Sequence, residues 1–285
     1  MSIVVNTNVS SLNAQRYLSF NTSALGKSQE KLASGFRINR ASDDAAGLQI
    51  SETLRAQIRG SQKALDNVQD GINVLNIVDG AFNQITENMQ RMRELVVQGA
   101  NDTLATAQRD AIEEELDQLA ADIDRIANGT QFNGVNLLTG STTSFRIQVG
   151  PNSTSTTNMI NIATAANTNP LATATASALG VDDASISVAS NASALQTLSG
   201  IDGALSTLNT RRATAGALTN RLQGAANNLA IGIENLSASE SRIRNVDVAK
   251  ESAELVRNQI LQQASATILS QANQSPQLAL SLLRG

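Results

Sequence analysis

Neither cysteine nor histidine occurs in these 285 residues, tryptophan is absent, and proline appears three times. Without thiols there is no disulfide and no thiolate nucleophile. Without imidazole the commonest general base and the commonest metal ligand are both missing. Catalysis would rest on carboxylates, Lys or Ser alone, yet no H-E-x-x-H, P-loop or dinucleotide-binding pattern is present. Asp43 with Asp44 and the run Glu113 to Glu115 come nearest to an acid/base pair or a cation site. With no further ligands and no glycine-bounded pocket beside them, they read as helix caps and first-turn carboxylates. The expectation is no enzyme, no cofactor and no metal. Aromatic residues are scarce at 2%, which excludes a thick core filled by large rings. No run of about 18 apolar residues exists to cross a membrane. The opening MSIVVNTNVSSLN lacks the basic start and apolar core of a secretory signal. Neither a membrane nor a nucleic-acid partner is expected, and the chain is either cytosolic or exported by a route that reads something other than a cleaved signal.

What the chain does have is heptad spacing. From Leu198 through Ile201, Leu205, Leu208, Arg212, Ala215, Thr219 and Leu222 to Ile243 the sequence steps 3-4-3-4 on mostly apolar residues. A period near 3.5 belongs to a supercoiled helix. A helix of that span is about 70 Å long at 1.5 Å per residue, too long for a compact domain of this size. The expected fold class is mainly α: an elongated, folded-back coiled-coil or helical-bundle rod with a small β-hairpin region in the middle of the chain.

Four zones follow. Residues 3–34 read as a first helix ending near Gly35, and Ser42, Asp43 and Asp44 offer caps for the next. That second helix runs from Leu54 through Leu75, with a phase slip expected near Asp79 and Gly80, and resumes from Phe82 to Val96. A shorter acidic helix carries Ile112, Leu116, Leu119, Ile123 and Ile126 and closes at Asn128 and Gly129. Then Asn133-Gly134 signals a tight turn, Phe145, Ile147 and Val149 alternate like a strand, and Ile160 and Ile162 offer a second. From about residue 192 the heptad takes over, and a last segment with Val246, Ala253, Val256 and Ile260 is expected to carry it on toward Pro276.

Charge is uneven although the net is only −4. Residues 1–65 carry eight basic and four acidic groups, whereas residues 66–130 carry four basic and thirteen acidic ones. Solvated helix faces explain this, and so does head-to-tail complementarity between copies. The ends are stranger still: residues 1–15 and 258–283 hold no charged side chain, yet are rich in Asn, Gln and Ser. An exposed terminal helix normally keeps charges for solubility, so these ends are expected to become buried against other protein and to be disordered in the free monomer.

Four stretches resemble bacterial flagellin: NTNVSSLNAQR near the start, LASGFRINRASDDAAGLQISETLRAQIRG at 32–60, TQFNGVNLL at 130–138, and SRIRNVDVAKESAELVRNQILQQASATILSQANQSPQLALSLL at 241–283. The resemblance implies three regions. Residues 1–45 with 245–285 would form a terminal coiled-coil domain lining the inner core of a filament. Residues 46–140 with 190–244 would form a helical rod domain, and residues 141–189 a short β-rich, low-complexity central region with no large outer domain. It implies a structural subunit that polymerises into the extracellular flagellar filament. Val5, Val9, Leu12, Val256, Ile260, Ile268, Leu278 and Leu282 are the apolar candidates for self-assembly on the two ends. It also implies unfolded export through the flagellar type III apparatus with no cleaved signal peptide, an export chaperone binding residues 245–283, and hook-associated and filament-cap proteins as neighbours. The stretch QRMRELVVQ at 90–98 is similar to the segment gripped by the vertebrate Toll-like flagellin receptor, which carries over Arg91 and Leu95 as contacts with Glu115 as their partner. The alternative is a hook-filament junction protein, whose related terminal helices cap rather than polymerise. The long C-terminal match favours the filament.

Overall fold

A computed structural model describes residues 7–140, 145–163 and 169–284, with backbone alone for Ser155 and residues 275–284. Its helices are α1 (Val9–Ser34), α2 (Ala45–Gly99), α3 (Thr106–Gly129), α4 (Ser155–Asn158), α5 (Ala176–Leu179), α6 (Asn191–Arg244) and α7 (Val248–Arg284). The strands are short: β1 (Gln131–Phe132), β2 (Val135–Asn136), β3 (Arg146–Gln148) and β4 (Met159–Asn161). The expected class holds: mainly α, with long helices and two small antiparallel strand pairs. Two compact units are present, one within Met1–Ala56 and Asn235–Gly285, the other Gln57–Glu234.

The second unit is built on three heptad stripes. On α2 the buried line runs Ser61, Ala64, Val68, Gly71, Leu75, Val78, Phe82, Ile85, Met89, Met92, Val96, Gly99. The spacing alternates 3 and 4 without a break. The phase slip expected near Asp79 and Gly80 is therefore corrected: Val78, 0% exposed, carries the stripe through the polar pair. On α6 the buried line is Ala194, Thr197, Ile201, Ala204, Leu208, Arg211, Ala215, Leu218, Leu222. It shares every second residue with the expected stripe and is turned by one residue at the alternate ones. Ala204, Arg211 and Leu218 are buried in place of Leu205, Arg212 and Thr219, and Arg212 sits at the seam's flank with Nε 3.0 Å from Asp79 Oδ1. On α3 the line is Ile112, Leu116, Ala120, Ile123 and Ala127, with Leu119 and Ile126 packed beside it.

Residues of the central segment contribute to this same core. Asn133 (φ 48°) and Gly134 (φ 77°) make the two-residue turn of the β1–β2 hairpin, as the Asn-Gly pair predicts. β3 and β4 pair with Ile147 opposite Ile160, and Ile147, Ile160, Ile162, Leu171, Val181 and Val188 are buried with the helix stripes. The helix yields to this segment at glycine. A Cβ on Gly71 would lie 3.0 Å from Ile147 Cγ1, and one on Gly60 would lie 2.9 Å from Pro151 Cβ. The α3 terminus differs from expectation, since its cap is Thr130 in extended conformation rather than a left-handed glycine. Thr130 donates both its N–H (3.0 Å) and its hydroxyl (2.6 Å) to the Ile126 carbonyl, which satisfies that helix end without Gly129.

In the first unit α1 begins at Val9, capped by Asn8, and ends on Gly35 in left-handed conformation (φ 74°). The following connection is pinned to the end of α6: Arg37 N–H donates to the Arg244 carbonyl at 2.7 Å, and Val246 N–H donates to the Gly35 carbonyl at 3.0 Å. Arg244 stacks 4.7 Å over the Phe36 ring while its Nη1 meets Glu52 Oε1 at 2.6 Å, an interaction that holds the Glu52 carboxyl below its usual range. Asp44 accepts from Gly47 N–H at 2.9 Å and so caps α2, while Asp43 receives the N–H groups of Arg40 and Asn39. Its carboxyl is held low, mainly by the Arg40 bond. Both aspartates are thus occupied by backbone. α7 runs through Pro276 to Arg284.

Candidate assembly surface

α1 and α7 lie antiparallel along each other, and the side chains they bury most fully are small. Among the described residues these are Ala14, Ser28 and Ser265. Asn21 Nδ2 donates to Ser265 Oγ at 2.7 Å, Asn258 Nδ2 to Ser28 Oγ at 3.2 Å, and Ser11 Oγ to Asn273 Oδ1 at 2.7 Å. These residues escape an apolar-stripe reading, but they carry a heptad of their own. Ala14, Asn21 and Ser28 are seven apart, and so are Asn258, Ser265 and Ala272. Small and amide side chains let the two backbones approach closely while satisfying each other's polar groups.

Leu18, Leu25 and Leu32 on α1 and Leu255 and Leu269 on α7 are half-buried, while other large apolar side chains of both helices stand open. Val9 is 61% exposed, Leu12 57%, Tyr17 65% and Phe20 71% on α1; Val256 is 51%, Ile260 60% and Ile268 59% on α7. Five of the candidate assembly residues, Val9, Leu12, Val256, Ile260 and Ile268, therefore stand on open faces. Val5 lies outside the described residues, as do the side chains of Leu278 and Leu282. An apolar face this long, on a pair of helices whose outer ends carry almost no charge, is the candidate assembly surface of the chain.

The second unit holds the other candidates. Arg91 Nη2 is 2.8 Å and its Nε 3.1 Å from Glu115 Oε1, and Nη1 is 3.3 Å from Glu94 Oε2. Arg91 and Glu115 are thus brought together across α2 and α3 with both side chains about half exposed. Leu95 is placed otherwise. At 3% exposed it packs in the core beneath the pair and presents no surface of its own, as its step of three from Met92 dictates. Nearby, Asp117 is partly buried with one carboxylate oxygen unbonded. Burial, and then the Asp183 carboxylate, push its pKa up. Among the described residues no cluster of acidic groups is arranged to hold a metal ion, and no helix is long and apolar enough to cross a membrane.

Known proteins resemble this chain along nearly its whole length. The family model for the bacterial flagellin N-terminal helical region matches residues 5–143, and that for the bacterial flagellin C-terminal helical region matches residues 198–283. The chain is similar to the flagellar filament 33 kDa core protein of Treponema phagedenis, with 41% identity over 99% of this chain and 100% of that one. It is equally similar to the flagellin of Halalkalibacterium halodurans, with 41% identity over 99% of this chain and 100% of that one. Among solved structures it is similar to the crystal structure of Bacillus cereus flagellin, at 28% identity and a TM-score of 0.47, covering 57% of this chain and 88% of that chain. With family models at both ends and relatives above 40% identity along the whole length, this chain belongs to the bacterial flagellin family.

Proposed function

We infer that this chain is the structural subunit of an extracellular flagellar filament, a helical polymer that carries motility. The observation that carries the reading is the pairing of open apolar faces on α1 and α7 with termini nearly free of charge. Each half-exposed Val, Leu, Ile or Phe that a neighbouring copy covers contributes about 1 kcal/mol, so the eight among the described residues of α1 and α7 offset a substantial ordering entropy. Flagellin relatives aligned over nearly the full chain leave the hook-filament junction reading unfavoured. The terminal helices line the inner core, and the stripes of α2, α3 and α6 form the layer outside them. Export proceeds unfolded through the flagellar type III apparatus, which a chain without disulfides suits. An export chaperone binds within residues 245–283, and hook-associated and cap proteins meet the filament's two ends. Arg91 and Glu115 form the surface offered to the vertebrate Toll-like flagellin receptor, with Leu95 as their buried support. Electron microscopy of the purified chain in high salt tests the main reading: long filaments are expected, and short closed oligomers would overturn it.

A further inference from the structure

A mild two-electron oxidant finds few targets in this chain. Cysteine, histidine and tryptophan are all absent, which leaves the methionine thioether as the side chain that hydroperoxides attack. Of the four methionines, Met1 lies outside the described residues, and the other three stand in opposite surroundings. Met89 and Met92 are each 0% exposed in the α2 stripe, in one buried cluster with Phe82, Ile85 and Val96. An oxidant reaches their sulfur only when that seam opens. Met159 instead begins β4 in extended conformation (φ −128°, ψ 138°) and is half-buried. Its strand alternates: Ile160 is buried opposite Ile147, while Met159 and Asn161 lie on the other face, opposite Gln148 and Arg146. That face is polar and open at Arg146 and Asn161, so its thioether stands beside water.

We propose that Met159 is a modification site of this chain, where hydroperoxides convert the thioether to the sulfoxide while the fold stays intact. The sulfur lone pair attacks one oxygen of the peroxide and the O–O bond breaks. Sulfur is oxidised by two electrons and keeps that oxygen; its proton passes through water to the departing oxygen, which leaves as water or an alcohol. The hydroperoxide is the only co-reactant. The new sulfoxide oxygen is a polar acceptor, and an unbonded polar group is costly only where water cannot reach it. On the outer face of β4 it is hydrated, whereas at Met89 or Met92 it would be sealed among aliphatic groups. The hold of the strand does not run through the thioether either. Val149 N–H donates to the Asn158 carbonyl at 2.7 Å and Ile162 N–H to the Phe145 carbonyl at 2.8 Å, backbone bonds on both sides of Met159 that the reaction leaves untouched.

None of this requires polymerisation, so the test is run on the full-length chain as dilute monomer. Hydrogen peroxide is added with and without urea, and each methionine is followed on its own peptide by mass spectrometry. In the folded chain Met159 is expected to oxidise within about 5-fold of its rate in urea, and Met89 and Met92 to be slowed by about 100-fold or more. Met159→Leu keeps a side chain of similar bulk without the sulfur, and the same treatment of this variant measures whatever Met1 contributes. Relative to it, oxidation of the parent at Met159 is expected to lower the melting temperature by less than about 2 °C. Protection of Met159 equal to that of Met89, or reaction of Met89 and Met92 at the pace of Met159, would overturn the assignment of the site. A fall of more than about 5 °C traced to Met159 would overturn the claim that the fold survives its oxidation.

Discussion

Val78 decides whether the α2 stripe is continuous. Counting only the strongest apolar residues suggests a slip at Asp79-Gly80, which would leave Val78 off the seam; instead Val78 is 0% exposed and its neighbour Ile77 is 39% exposed. Val78→Ala removes two methyl groups from a filled site. The transfer loss is about 1.6 kcal/mol at roughly 0.8 kcal/mol per group, and the unfilled space brings the total to about 2–3 kcal/mol. Ile77→Ala removes more atoms, yet from a side chain partly in water and with a small gain in helix propensity, so its loss is below about 1 kcal/mol. For a unit of this size each kcal/mol lowers the melting temperature by about 2–4 °C. Calorimetry of the monomer in dilute, low-salt buffer should therefore show Val78→Ala melting about 4–12 °C lower, and Ile77→Ala within about 4 °C of the parent. Equal shifts for the two, or a larger one for Ile77→Ala, would refute the uninterrupted seam.

Gly71→Ala should destabilise the same unit by about 1 kcal/mol despite its better helix propensity, because its Cβ would sit 3.0 Å from Ile147; Gly80→Ala, with nothing within 4 Å, should stabilise by a similar amount. Thermal melts of the two side by side check this, and matching shifts would contradict the close packing of β3 on α2. Asp117 has its pKa raised by burial and by Asp183, so the folded chain binds its proton more tightly than the unfolded chain does. Its charge therefore opposes folding at neutral pH, and this opposition is relieved as pH falls through the raised value. Asp117→Asn should melt higher than the parent at pH 7, with the gain shrinking toward pH 4; a gain independent of pH would count against it. Arg91→Ala breaks the bonds to Glu115 and Glu94, both solvent-exposed, so stability should change by less than about 1 kcal/mol while receptor activation by monomer falls. Unchanged activation would remove this pair from the recognition surface.

Much of this was legible in the residues. Helical period along α2, α3 and α6, the Asn133-Gly134 turn, the Asp44 cap and the facing of Ile147 and Ile160 all follow from local chemistry that needs no partner. What escaped depends on which face meets which. A stripe of period 3.5 is two residues wide, so Leu205 and Ala204, or Arg212 and Arg211, are equivalent until α2 and the central segment select one. Arg211 goes inside because its Nη1 reaches the Thr173 carbonyl at 2.8 Å, a partner 38 residues away that sequence spacing does not announce. The Asn8 amide that donates to the Ala272 carbonyl, whose helical N–H partner Pro276 lacks, lies at the other end of the chain, where sequence spacing does not announce it. The assembly candidates stand out by an absence of charge, whereas Asn and Ser at heptad spacing read as surface until the partner helix is in place.

The central claim is that the open faces of α1 and α7 find their cover in other copies of the same chain. Hydrogen exchange of residues 9–34 and 248–284, measured in dilute monomer and again in sedimented filaments, tests it most directly. The account predicts near-complete exchange within minutes in the monomer and strong protection in the filament. Full protection of both segments in the monomer, unchanged on polymerisation, would contradict it.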